Sequence, residues 1–132
     1  MVVIPEKVLE AFNNPKSVKV LTSVETGGQP HVIVCGSISA VDAETVIVGE
    51  ILMKKTSSNL EKHRKAAVLV LVDMISYVIH VKVKKRVTEG PMLDNMNKVL
   101  AGMGLKANAV WTFEPTAVYD QSASQSAGIK LA

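Results

Sequence analysis

The sequence predicts a small, mostly β protein: an antiparallel barrel with short helices, built as one domain. Six or seven short runs of aliphatic and β-branched residues alternate with turns along 132 residues. Their close spacing and the glycines in the turns favour antiparallel strands over a parallel sheet with helical crossovers. Hydrophobic residues make up 48% of the chain and charged residues 20%, which predicts a packed core. A chain of this length predicts a single domain over residues 1–132.

The first third of the chain predicts one helix followed by two strands. Residues 5–12 begin with proline, which suits a first helical position, and their apolar residues share one face. Residues 18–24 alternate as a strand, and the glycines of 25–29 suit a hairpin turn. Residues 30–35 form the next strand, and we expect Gly36 and Ser37 to kink it.

The middle of the chain predicts a strand, a capped helix and a buried strand. Residues 45–48 are a β-branched run typical of a strand. A helix over residues 60–65 is predicted next, because Ser58 and Glu61 have the spacing of a capping box. Residues 67–72 are almost wholly apolar, which predicts a strand buried on both faces.

The last part of the chain predicts two strands around a helix. Residues 76–89 alternate between valines and basic residues, as in a long strand with one wet face. A helix over 91–103 follows from apolar residues at helical spacing, ended by glycines. Residues 109–113 predict the last strand, which Glu114 and Pro115 should end, and a mobile tail is expected from Gln121 to the apolar Ile129.

One stretch, from Met53 to Leu60, has the composition of an anion site. It brings two lysines and three hydroxyl side chains to the predicted start of a helix. Free backbone amides and the positive end of the helix dipole gather at such a position. A phosphate monoester would satisfy the ammonium groups, hydroxyls and amides together. The alternative is an ordinary capped helix with solvated lysines.

Charge and cysteine content limit the classes of partner. The net charge of +3 is too small to indicate nucleic acid by itself. The basic residues of 82–86 predict a solvated sheet face, and no aromatic residue interleaves with them. A single cysteine, Cys35, fits a reducing cytoplasm, and we expect it to be a small buried strand residue. No leader is expected at the N-terminus, and the longest apolar run, 66–72, is too short to span a bilayer.

The residues show no catalytic machinery of their own. No glycine-rich dinucleotide motif, phosphate-binding lysine loop or nucleophile elbow occurs in the sequence. The histidines are scattered without metal-ligand spacing, so we expect structural or surface roles for His31, His63 and His80. Any reaction is therefore expected to belong to a bound cofactor.

Two motifs give the chain a family resemblance. Gly28-Gln29-Pro30-His31 begins the second strand, and Lys55-Thr56-Ser57-Ser58-Asn59-Leu60 follows some two dozen residues later. In combination they resemble the FMN-binding split-barrel family, the group similar to pyridoxamine 5'-phosphate oxidase, and especially its small stand-alone members. The resemblance runs from about Ser17 to Tyr119. It implies a six-stranded antiparallel split barrel that forms a homodimer with FMN at the subunit interface.

The resemblance also implies a set of cofactor-binding residues. Lys55 and Thr56 match the phosphate-binding pair, in agreement with the anion site above, and Asn59 matches a supporting polar residue. The partner subunit is expected to cover the flavin, with Trp111 or the apolar end of the tail contributing. Two further segments match those that face the flavin ring and its edge: Val34, Cys35, Gly36 and Ser37, and Ile51, Leu52 and Met53.

The resemblance leaves the activity open. The arginine and second lysine of the full oxidase are missing near His31, Val32 and Cys35, and its substrate-binding C-terminal segment is not recognisable. An FMN-dependent oxidoreductase or electron-transfer protein is one hypothesis. The others are a non-catalytic module that binds a flavin or phosphate ligand and a deazaflavin-dependent reductase. Family members also include haem-associated proteins, but the histidine-rich tail typical of them is absent.

Overall fold

The structure, a computed structural model, describes residues 2–132 as one curled antiparallel sheet with three helices. The helices are α1 Glu6–Asn13, α2 Lys54–His63 and α3 Pro91–Ala101. The strands are β1 Val18–Val24, β2 Pro30–Val34, β3 Ile38–Asp42, β4 Thr45–Gly49, β5 Lys65–Val72, β6 Ile75–Val87, β7 Val110–Asp120 and β8 Ile129–Lys130. The mostly β fold class is therefore confirmed.

The sheet runs in the order β2-β1-β5-β6-β7-β4-β3, and β8 pairs with the end of β7. All of these pairings are antiparallel. Strands β2 and β3 are consecutive in the chain but lie at opposite edges, so the barrel is split between them. Lys19 on β1 reaches across this split, where its Nζ donates to the carbonyl oxygen of Ile38 at 2.9 Å.

The concave side of the sheet holds the core. Alternate residues of the strands point inward and are fully buried, and Trp111 and Phe113 are the largest of them. Helix α1 adds Val8 and Phe12 to this core, as its amphipathic sequence predicts. Helix α2 docks on β1, where the amide of Asn59 donates to Ser23 Oγ at 3.0 Å. In the described chain, no helix is both long and apolar enough to cross a bilayer.

The predicted start of α2 was wrong. The helix begins at Lys54, Met53 is its N-cap without a side-chain hydrogen bond, and Ser58 lies in its second turn. The capping box of Ser58 and Glu61 therefore does not form. Tertiary packing decides the boundary, because Thr56, Asn59 and Leu60 lie on one helical face that is buried against the sheet.

Strand β7 continues well past the predicted stop. Pro115 lies inside it, at an irregularity where Thr116 is the extra residue opposite the β6 pair His80 and Val81. Strand β4 pairs only with residues 110–113 of β7, and β8 only with 119–120. Pro115 therefore lies where one side of β7 has no strand partner, a position that tolerates the missing amide.

Two other predictions about burial and order were wrong. Strand β5 is fully buried only on its concave face, at Val68 and Val70, because no layer covers its convex face. The tail is ordered, since the amide of Gly128 donates to the Asp120 carbonyl at 2.7 Å and β8 follows. The apolar Leu131 ends the tail against the core.

Candidate functional site

The start of α2 forms a cradle of unpaired backbone amides beside two lysines. The first amide of the helix with an intrahelical partner is that of Ser57, which donates to the Met53 carbonyl at 2.8 Å. The amides of residues 54–56 precede it and lie at the positive end of the helix dipole. Because the helix begins at Lys54 and not near Ser58, Lys54 and Lys55 belong to its first turn and lie beside these amides. Both lysines are exposed.

A cavity of about 410 Å³ opens at this cradle. Its far wall is the inward face of β2, which contributes His31 and Ile33, and its near wall is residues 52–56. Thr56 is 1% exposed and lines the cavity as part of the buried face of α2. The cavity thus has a cationic end at the helix and an apolar end at Ile33 and Met53.

Lys55 is already paired, but only weakly. Its Nζ lies 3.4 Å from Glu25 Oε1 in the β1–β2 turn, and 60% of the lysine side chain is exposed. Exposed pairs of this kind contribute about 0–1 kcal/mol. The lysine can therefore exchange this partner for an anion in the cavity at small cost.

A buried carboxylate holds the segment that leads into the cradle. Glu50 follows directly after β4 and accepts hydrogen bonds from Arg86 Nε at 3.0 Å and Nη2 at 2.7 Å. It also accepts from the indole of Trp111 at 2.9 Å and the hydroxyl of Ser57 at 2.7 Å. One side chain therefore joins β4, β6 and β7 to the first turns of α2.

This network makes the free energy of unfolding depend on the protonation of Glu50. The hydrogen-bonded Arg86 guanidinium lowers the pKa of Glu50, assisted by Ser57 and Trp111 and opposed by burial. A carboxyl with a lowered folded pKa stabilises the fold above its unfolded pKa of about 4.3, and this contribution is lost as pH falls through the folded value. Urea unfolding should therefore show a steeper loss of stability below about pH 5 in the wild type than in Glu50→Gln. The exposed Glu44→Gln is the control and should follow the wild type. Equal slopes for all three proteins would contradict this role of Glu50.

The segment expected to face the flavin ring lies at the edge of the sheet, apart from the cradle cavity. Val34 is 77% exposed on the convex face, and Gly36 is exposed. Cys35 is buried, as predicted, with its sulfur 3.3 Å from the Ser37 hydroxyl. Ser37 in turn donates to the Gly49 carbonyl at 2.9 Å. Val34, Gly36 and Ser37 border other grooves, and none of the four residues lines the cradle cavity.

The remaining predicted residues fall into two groups. Leu52 and Met53 line the cradle cavity, whereas Ile51 beside them is half-buried and does not line it. Asn59 is buried against β1 behind the cavity, where it positions the helix. Trp111 is 1% exposed and bonded to Glu50, so most of its ring belongs to the core, and its edge lines a neighbouring groove with Lys54 and Ser57.

Sequence reasoning missed four residues of this region. His31 and Ile33 have the pattern of ordinary strand positions, although the motif at residues 28–31 places them near the site. Glu50 carries no local signal, and Arg86 has the pattern of a solvated basic face. A bulge at Lys84 changes the side on which Arg86 points, and this bulge is invisible in the alternation of the sequence.

Solved structures with the same fold cover nearly the whole chain. HupZ from Group A Streptococcus matches with a TM-score of 0.80 and 20% identity over 95% of this chain and 99% of that one. An FMN-binding protein from Syntrophomonas wolfei subsp. wolfei matches with a TM-score of 0.76 and 18% identity, over 90% of this chain and 89% of that one. An F420 reductase matches with a TM-score of 0.69 and 16% identity, over 87% and 98%.

Other matches include a protein of the pyridoxinephosphate oxidase family from Clostridium acetobutylicum, which is related to general stress protein 26. No family model matches the sequence, and no curated protein is significantly similar to it. At identities of 14% to 20%, these likenesses establish the shared fold.

Proposed function

Because this chain has the split-barrel fold of the pyridoxamine-phosphate-oxidase-like proteins, we propose that it is an FMN-binding flavoprotein that serves redox chemistry as a homodimer. The observation that carries this proposal is the cradle at the start of α2, where free amides, Lys54, Lys55 and Thr56 meet in one cavity. The similar FMN-binding protein supports a flavin ligand for this fold.

The residues of the cradle cavity suit the two ends of such a cofactor. Ammonium groups and helix N-terminal amides are the donors that a phosphate monoester prefers. Ile33, Leu52 and Met53 offer apolar surface to a planar ring. The cavity volume of about 410 Å³ lies in the range of small-molecule sites.

In this proposal the chain binds and orients, and FMN supplies hydride or electron transfer when bound. The amides of 54–56 and the side chains of Lys55 and Thr56 would bind the phosphate. Ile33 and Met53 would exclude water from the ring, and backbone amides near Gly36 and Ser37, or within 51–53, would donate to its polar edge.

The homodimer is proposed from the uncovered convex face of the sheet. Cross-strand pairing aligns one apolar row over five strands: Val34, Val20, Leu69, Val78 and Tyr119. All five are at least partly exposed. A continuous apolar face on a chain of this size is typical of an interface, and β2, which lines the cradle cavity, lies at its edge.

Charging this face should separate the subunits without unfolding them. Val32 and Val34 are 60% and 77% exposed, so lysine at both positions meets no core residue. Light scattering at micromolar concentration should give twice the 14.2 kDa chain mass for the wild type and the chain mass itself for Val32→Lys with Val34→Lys. Met74→Lys, at a 75% exposed turn position, is the matched control and should remain dimeric. A monomeric wild type would rule out the proposed dimer.

Leu52 combines strain with exposure. Its φ is +51° and its side chain is 96% exposed, although it lines the cradle cavity. A left-handed conformation costs a non-glycine residue about 1–2 kcal/mol, and such strain concentrates at functional sites. Leu52→Gly should therefore raise the melting temperature by about 4 °C while weakening FMN binding severalfold. Unchanged FMN affinity in a stabilised variant would remove Leu52 from the site.

Two alternatives make different predictions. The similar F420 reductase favours a deazaflavin in the same cavity, and tighter binding of F420 than of FMN would select it. A non-catalytic binding module would hold FMN without exchanging electrons. Anaerobic addition of reduced nicotinamide cofactors distinguishes the two roles, since rapid bleaching of the bound flavin indicates an oxidoreductase and persistent yellow colour across donors indicates a carrier or sensor.

A further inference from the structure

A second, larger groove of about 610 Å³ lies between α3 and the convex face of β3 and β4. The sheet contributes Ile47 and Val41, and the helix contributes aliphatic and thioether side chains. None of its lining residues lines the cradle cavity. The helix side is formed mainly by Met92, Met96 and Val99 of α3, together with Met103 in the turn that follows the helix.

The groove lies beside a helix that packs only loosely on the sheet. Met96 lies so close to Gly49 that a Cβ on the glycine would be 3.0 Å from its sulfur. Leu100 is the one buried residue of α3, whereas Val99 and Met103 are 69% and 64% exposed. The helix therefore holds apolar side chains over β3 without packing on it.

One charged residue lines this groove. Lys19 enters it through the split between the sheet edges and donates to the Ile38 carbonyl at 2.9 Å. An ammonium group has three donors, and Lys19 forms no ion pair with any residue in 2–132. Burial lowers the pKa of Lys19, partly offset by Cys35. A half-buried cation with spare donors and no acidic neighbour in the lining has the charge to match an anion.

We propose that this groove binds a small amphipathic anion, with its carboxylate on Lys19 and its apolar body along the methionines of α3. The volume lies in the range of small-molecule sites. Methionine side chains adapt to flexible apolar ligands because they are unbranched and polarisable. The groove shares no residue with the cradle cavity, but it includes Gly36 and Ser37, so it adjoins the position proposed for the flavin ring.

Calorimetric titration of the FMN-free protein with dodecanoate, below its micellar concentration, tests this proposal. Saturable binding at one ligand per chain is expected. Lys19→Met should weaken dodecanoate binding by about tenfold and leave the binding of uncharged dodecan-1-ol within about twofold, because only the anion uses the ammonium. Lys98→Met removes a lysine of α3 that does not line the groove, and it should leave both ligands unaffected.

A second variant tests the groove independently, in case Lys19→Met fails to fold. Val99→Asp changes a 69% exposed position and places a carboxylate at the mouth of the groove, so it should weaken dodecanoate more than dodecan-1-ol. The proposal is overturned by absence of saturable binding or by equal losses for both ligands in Lys19→Met. Binding that appears only when the dimer dissociates would assign the groove to a second copy, and competition with FMN would assign it to the flavin site.

Discussion

Replacing Lys55 and Thr56 together with alanine is expected to weaken FMN binding by more than about tenfold. Each charge-assisted contact to a phosphate contributes about 1.5–3 kcal/mol, and the double variant removes both side-chain contacts while the amides of 54–56 remain. Fluorescence titration measures the affinity through quenching of the flavin on binding. Riboflavin, which has the same ring and ribityl chain without the phosphate, should bind both proteins with similar affinity.

The comparison between the two ligands assigns the loss to the phosphate. Lys62→Ala is the matched control, since Lys62 is an exposed lysine of the same helix that does not line the cradle cavity. Its FMN affinity should equal that of the wild type. A double variant that loses FMN and riboflavin equally, with an unchanged melting temperature, would place the phosphate elsewhere.

Replacing Glu50 with alanine is expected to lower the free energy of unfolding by about 3 kcal/mol. The substitution removes the charged acceptor of Arg86 and leaves the buried indole N–H of Trp111 without a partner. A buried unsatisfied donor costs about 1–3 kcal/mol, and a charge-assisted hydrogen bond contributes about 1.5–3 kcal/mol. Thermal unfolding should show a decrease of about 10 °C in melting temperature.

Two further variants give the scale for this loss of stability: one keeps an acceptor at Glu50, and the other removes a surface ion pair. Glu50→Gln retains an acceptor for Trp111 and should lose about half as much stability. Glu114→Ala removes the partner of Lys82 in a surface pair with an N–O distance of 3.1 Å, and it should cost less than about 1 kcal/mol. If Glu50→Ala were as mild as Glu114→Ala, the network would not be holding β4 to α2.

Strands β1 and β4 were predictable because their signals are local, whereas β3, after the expected kink at Gly36 and Ser37, was not predicted as a separate strand. The alternation of Val18–Val24 and the β-branched run from Thr45 correspond closely to β1 and β4. The start of α2 was not predictable from local signals. Hydroxyl residues favoured a cap at Ser58, but burial of Thr56 and Leu60 extends the helix back to Lys54. Capping contributes about 1 kcal/mol, less than burial of the helix face, so the tertiary contact prevails.

Strand order explains the error at Pro115. Proline ends a strand only where its missing amide faces a partner strand, and the sequence does not reveal that β4 and β8 leave this part of β7 open. The pairing of Glu50 with Arg86 was also not predictable, because it depends on the strand order. These residues lie 36 residues apart and meet only once β4 and β6 have both paired with β7.

Part of the candidate site was predictable, and part was not. The lysine and hydroxyl composition of residues 53–60 indicates an anion site from sequence alone, and Lys54, Lys55 and Thr56 do lie around one cavity in the fold. His31 and Ile33 complete that cavity from a strand more than twenty residues earlier, and their contribution depends on how β2 faces α2. Val34 and Gly36 lie outside it, so their proposed contact with the ring requires the second subunit or a ligand that extends beyond the cavity.

The most direct test of the flavin proposal is to identify the small molecule that the purified protein carries. The protein should show flavin absorbance, either as isolated or after addition of FMN, and mass spectrometry of the released ligand should find FMN at about one per chain. A colourless protein that neither releases a flavin nor binds added FMN in a titration would contradict the account.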